Sequence, residues 1–145
     1  MGVITYPNEV LRIKSTDILP EEIQSDEIQS LIDGMILCMA EHNGLGLSAC
    51  QVGSNKNIFV CTLRKEGVTA IINPEVLARS GHYKSRKEGC LSVPNVRKDI
   101  KRSELFKINY FDREGKPQTL RKTKFEASIL QHEMDHLKGK LIIDY

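Results

Sequence analysis

The chain has 145 residues, 40% hydrophobic and 28% charged, with a net charge of +2, proportions ordinary for a soluble globular protein. No apolar run is long enough to span a membrane, and the first residues lack the basic-then-apolar pattern of a signal peptide. Gly2 does not open a myristoylation signal either, because position 6 is Tyr. A cytoplasmic protein forming a single domain over residues 1–145 is therefore expected.

Residues 1–24 carry scattered turn residues (Pro7, Asn8, Pro20) and short apolar stretches, the pattern of an irregular arm over a core. From about Asp26 to His42, the apolar residues Ile28, Leu31, Ile32, Met35 and Met39 recur at helical spacing. Asp26 and Glu27 favour the positive end of that helix, and Asn43-Gly44 stops it. Gly44-Leu45-Gly46-Leu47-Ser48-Ala49-Cys50-Gln51 follows, rich in small residues that let a backbone approach a ligand closely. It is no phosphate cradle, because it lacks both a preceding strand and a Gly-Lys-Ser/Thr. A plain tight turn is the alternative reading.

The pattern then becomes β. Ile58–Cys61 and Thr69–Ile72 are apolar runs joined by a Lys65-Glu66-Gly67 turn, and Asn73-Pro74 is expected to end the second. After a polar stretch come Glu88-Gly89-Cys90-Leu91-Ser92, alternating segments at Val96–Arg102 and Leu105–Phe111, a turn at Asp112–Lys116, and Thr119–Lys122. A second helix is predicted from about Phe125 to Leu137, and Leu141-Ile142-Ile143 reads as a short closing strand. The fold class is α+β: antiparallel β-sheets packed around a central helix near the C-terminus, plus one N-terminal helix. Residues 84–124 hold 13 Lys/Arg against 5 Asp/Glu, while residues 1–83 hold 6 against 10. The basic segment reads as a solvated strand-and-turn surface rather than a nucleic-acid face.

The chemistry lies on the second helix, in His132-Glu133-Met134-Asp135-His136. Residues four apart on a helix stack on one face, so His132 and His136 can grip one cation. Glu133 stands beside them, where it can reach a water on that cation. Catalytic sites of this kind take three protein ligands and leave a position open. A third His six residues beyond the second would make a metzincin, but position 142 is Ile. None of the nine residues after His136 is Glu, so the ligand comes from upstream. Cys38 and Cys61 sit in apolar runs and read as core. Cys90, beside Gly89 among polar residues, is the strongest candidate, with His42 and His82 as rivals.

Three motifs in order, Gly44–Gln51 (GxGxAAxQ, with Ser48 in place of the first alanine), Glu88–Ser92 (EGCLS) and His132–His136 (HExxH), resemble those of the peptide deformylases. The resemblance implies a hydrolase that removes the formyl group from the initiator methionine of nascent polypeptides during protein biosynthesis, releasing formate. It implies Cys90, His132 and His136 as ligands of one divalent metal, natively Fe(II) and replaceable by Zn, Ni or Co. Glu133 would be the general base and acid, and the Leu91 N–H and the Gln51 amide would stabilise the oxyanion. Leu45, Gly46 and Gly89 would meet an extended peptide, and Leu45, Ile129 and the stem of Arg97 would line a methionine pocket. Formylmethionyl peptides emerging from the ribosome are the implied partners, and a monomer is expected. Bacterial members usually continue past the position of Tyr145 with a helix associated with ribosome docking, so that contact stays open here. Compact versions resemble deformylases encoded by some bacteriophages, which leaves a bacterial cell or a phage host as the cytoplasm in question. The competing classes are a metalloprotease and a metal-stabilised binding module without activity.

Overall fold

The computed structural model describes residues 1–145. Helix α1 spans Asp26–Glu41, with Ser25 as its N-cap accepting from the Ile28 N–H at 3.3 Å. Seven strands follow: β1 (Gly46–Ser48), β2 (Ile58–Leu63), β3 (Gly67–Ser80), β4 (Tyr83–Cys90), β5 (Val93–Arg102), β6 (Leu105–Phe111) and β7 (Pro117–Thr123). Helix α2 (Lys124–Leu137) carries the two histidines. The strands form an antiparallel five-stranded sheet in the order β1-β2-β3-β6-β7 and a separate β4-β5 ribbon.

Strand β2 shows why the sheet sits between the helices. Ile58 and Val60 pack with α1 through Ile28, Ile32, Met35 and Met39, while Phe59 and Cys61 pack with Leu130 and Met134 of α2. Successive side chains of a strand point to opposite faces, so a strand covered on both sides reads as an unbroken apolar run. Each such side chain, fully buried, contributes roughly 1.5–3 kcal/mol, which outweighs any propensity difference in these short segments. A third cluster joins Leu11, Cys50, Val93 and Ile100 to Leu141 and Ile142, tying the N-terminal arm and the last residues to the ribbon. Helix α2 also contacts β4, so it runs between the sheet and the ribbon.

Three segments depart from the sequence reading. Asn73-Pro74 does not end β3, which continues to Ser80. Asn73 takes a positive φ of 51°, the register shifts there, and its side chain holds the Ile18 N–H and C=O instead. The polar stretch before Glu88 is strand β4, whose outer face meets water. Leu141–Ile143 forms no strand; Ile142–Asp144 is a 3₁₀ turn in which Asp144 accepts the Leu141 N–H at 2.8 Å and pairs with Arg12. Between the helices, Gly44–Gln51 is more than a turn, comprising strand β1 and a 3₁₀ turn over Ala49–Val52.

Candidate metal centre and cleft

The sequence neighbours of the two histidines fix the rotation of α2. Gln131 donates to the Ser103 carbonyl at 2.9 Å and accepts from the Ser103 N–H at 2.8 Å, clamping the helix to the β5–β6 turn. One residue on, His132 and His136 stand with ring centroids 5.0 Å apart. The end of β4 carries Cys90 to the same point, where its Sγ lies 3.3 Å from His136 Nε2. One donor atom each from Cys90, His132 and His136 lies within 4.8 Å of the others. Bonds of about 2.3 Å to sulfur and about 2.0 Å to nitrogen at a tetrahedral angle put such donors about 3.5 Å apart, so the three fit one cation. His42 and His82, the rival ligands, belong to no such group; His42 Nδ1 is turned to the Cys38 carbonyl at 2.8 Å.

The protonation pattern suits the same use. His136 is 1% exposed, and burial together with the His132 and Arg102 charges holds its imidazole well below the usual value, leaving it neutral. Its Nε2 faces Cys90 Sγ, and a neutral imidazole keeps a lone pair at that nitrogen for a cation, while its Nδ1 has no protein partner. Burial would lower His132, but hydrogen bonds with Cys90 and Glu88 raise it to about 10. Its Nδ1 lies 2.7 Å from Glu88 Oε1, which assigns the Nδ1 proton and aims Nε2 at the cluster. A cation at that nitrogen takes the place of its second proton. By contrast Cys50 donates to the His136 carbonyl, and burial pushes its thiol up to about 12, so it behaves as core.

Behind the histidines lies a layer that sequence reasoning missed. Burial would raise Glu88, but its bonds to His132 and Arg102 and the charge of Arg102 hold it down at about 2. The Arg102 side chain, 2% exposed, pairs with Glu88 and with Asp135 at 2.7 Å, and Tyr145 Oη touches both Arg102 and Asp135. Arg102 therefore departs from the solvated face read for residues 84–124. The signal available was Glu88 itself, the first residue of the Glu88–Ser92 motif and two positions from Cys90.

Glu133 is buried, which raises its carboxyl. The Ser48 hydroxyl donates to the Glu133 carboxylate at 3.1 Å. Gly46 is pressed against that carboxylate; a Cβ there would stand 2.5 Å from Oε2, so any larger residue displaces the acid. Gln51 accepts the Ser48 N–H at 2.9 Å, which turns its Nε2 towards Ser92 Oγ at 3.0 Å and Cys90 Sγ at 3.8 Å.

A cleft of about 600 Å³ opens over this floor. Leu45, Gly46, Gln51, Gly89, Cys90, Leu91, Arg97, Ile129, His132 and Glu133 all line it, and His136 lies beneath. Strand β1 forms one wall as the free edge of the sheet, with Gly89 on β4. The Leu45 carbonyl already accepts the Thr62 N–H at 3.0 Å, so by strand alternation the groups left for a ligand at this edge belong to Gly46. Phe125, 54% exposed at the rim, was not anticipated.

An antiparallel α+β frame presenting a cysteine sulfur, two imidazoles on one helical turn and a buried glutamate defines a metal-dependent hydrolase with an open cleft. The family described as polypeptide deformylase matches residues 1–145, and the chain belongs to it. It is 40% identical to the peptide deformylase of Desulfosudis oleivorans, covering 99% of this chain and 84% of that protein. It is 41% identical to the peptide deformylase of Borreliella burgdorferi, covering 100% and 87%. A ligand-bound class I type b peptide deformylase from Acinetobacter baumannii superposes with a TM-score of 0.95 at 31% identity, covering 100% of this chain and 98% of that one. The peptide deformylase of Synechococcus elongatus in complex with actinonin does so with 0.91 at 34%, covering 99% and 77%.

Proposed function

We propose that this chain, as one catalytic domain, hydrolyses the formamide at the N-terminal methionine of newly made polypeptides and releases formate. The observation that carries this reading is the buried Glu133 carboxylate on the floor of a cleft where Cys90, His132 and His136 converge within 4.8 Å. Those three residues would hold one divalent cation, which supplies a Lewis acid able to acidify water and polarise a carbonyl oxygen. Fe(II) is proposed as the native ion, with Zn, Ni or Co able to replace it, since the donor set does not separate these ions.

The remaining work falls to the chain's own groups. Glu133, held by Ser48, takes a proton from the attacking water and passes it to the leaving amine. The Gln51 amide and the Leu91 N–H donate to the oxyanion as the formyl carbon becomes tetrahedral. The peptide adds along the β1 edge through Gly46, with Gly89 opposite, in the manner of an added strand. Leu45, Ile129 and the Arg97 stem receive the methionine side chain. The chain is expected to act as a monomer in the cytoplasm, where nascent formylated chains occur.

Release of formate from formyl-Met-Ala under anaerobic conditions, with unformylated Met-Ala as control, tests the reading. Formate release supports it. Internal cleavage of a longer peptide without formate points to a protease, and neither reaction points to a binding module.

A further inference from the structure

A second hollow, of about 310 Å³, lies on a different face of α2 and shares no lining residue with the catalytic cleft. From the helix, the cleft takes Phe125, Ser128, Ile129, His132 and Glu133, whereas the second hollow takes Gln131, Met134 and Asp135, with Lys138 just past its end. Its charge is unusual for so small a space: Arg79, Lys101, Arg102, Lys138 and Lys140 line it, against the single carboxylate of Asp135. That carboxylate is taken up by Arg102. None of Arg79, Lys101, Lys138 and Lys140 has a carboxylate within ion-pair distance.

Two of the cations are ordered by the fold. The Arg79 guanidinium donates to Ser103 Oγ at 2.9 Å and to Gln131 Oε1 at 3.2 Å and lies over the Phe106 ring, leaving Nη1 without a partner. The Lys140 ammonium sits 3.9 Å over the Tyr145 ring. Lysines after a helix complement the negative end of its dipole, but that end amounts to about half a unit charge, which two lysines already exceed. The surplus therefore faces the hollow, where unpaired cations of one sign repel one another until an anion enters.

We propose that this hollow is an anion site for phosphate oxyanions. The free Nη1 of an ordered guanidinium, with lysine point charges around it, suits a phosphoryl group, which offers several acceptor oxygens and up to two charges. The phosphate can come from a nucleic-acid strand or from a small phosphate ester, and the two are told apart by titration. The intact protein is titrated with inorganic pyrophosphate and with a ten-residue oligouridylate by calorimetry at low and moderate salt. Saturable binding is expected for at least one probe, weakened tenfold or more in the Lys101→Glu/Lys138→Glu double variant. Lys101→Gln/Lys138→Gln, which only removes the charges, is expected to weaken it in the same direction. Both variants should melt as the parent does and release formate at the parental rate. Oligouridylate binding much tighter than pyrophosphate, with a steep fall in salt, assigns the site to a nucleic-acid strand. Comparable binding of both assigns it to small phosphates. Absence of binding by either probe, or binding unchanged in both variants, overturns the proposal.

Discussion

The Ser48 hydroxyl lies 3.1 Å from both the carboxylate and the main-chain oxygen of Glu133, sharing its one proton between them. The proposed general base is therefore held by a residue 85 positions earlier in the chain, across the contact between β1 and α2. Ser48→Ala removes this tether and introduces the alanine common in the family motif, so the protein should fold. A loss of about 1 kcal/mol in stability and a fall in kcat of less than tenfold are expected. Melting and steady-state formate release check this, and an unchanged kcat would leave Ser48 a purely structural partner.

Glu133→Gln keeps shape and the Ser48 contact but cannot take a proton. Bound metal should stay near one ion per chain while turnover of formyl-Met-Ala drops about 10²–10⁴-fold. Near-normal turnover would remove Glu133 from the proton transfer.

What the sequence made legible, and what it concealed, divides along contact range. The histidine pair was visible because both residues lie on one helical turn, and Cys90 because Gly89 and polar neighbours gave it no place in an apolar run. Helix α1 and the β2–β3 turn were visible because their patterns are local. Arg102 was hidden: amid basic residues it looked solvated, yet it is 4% exposed and its partners Glu88 and Asp135 lie 14 and 33 residues away. Strand β4 was hidden because a ribbon covered on one face carries too few apolar residues to show alternation. The closing turn was misread because its apolar residues do pack inward, but Asp144 captures the Leu141 N–H that a ladder would need.

Cys90→Ala removes the one proposed ligand that comes from outside α2. Metal content after dialysis, measured by elemental analysis, should fall well below one ion per chain, with the parent retaining its ion under the same conditions. Unchanged content would mean that the third ligand lies elsewhere.

Arg12 holds the C-terminal turn by two bonds to the Asp144 carboxylate, at 2.5 and 3.1 Å, and a third to the Gly139 carbonyl. The hydrogen bond from Arg12 keeps the Asp144 carboxyl below its usual range. Its folded value being lowered, the pair contributes stability above the unfolded value of about 4 and loses it as pH falls through the lower folded value. Both groups are partly exposed, so Arg12→Ala should cost about 0.5–1 kcal/mol at neutral pH. Denaturant unfolding should show that difference shrinking as pH drops below about 4. A difference independent of pH would assign the loss to the Gly139 contact instead.

Glu88 is the joint between the proposed metal ligands and the buried arginine, since one carboxylate meets His132 Nδ1 and the Arg102 guanidinium together. Glu88→Gln preserves the outline but replaces the charge with an amide whose oxygen can serve only one of them well. With a weaker acceptor at Nδ1, the His132 ring is less basic at Nε2 and less firmly oriented. Metal affinity should fall about 10–100-fold, measured by competition with a chelator. Arg102 keeps Asp135 at 2.7 Å, so the cost in stability should stay below the roughly 3–5 kcal/mol of a buried charge left wholly unpaired. Weakened metal binding with a nearly parental melting point of the chelated protein marks Glu88 as a positioning residue. Loss of both in equal measure would make it a scaffold for Arg102 alone.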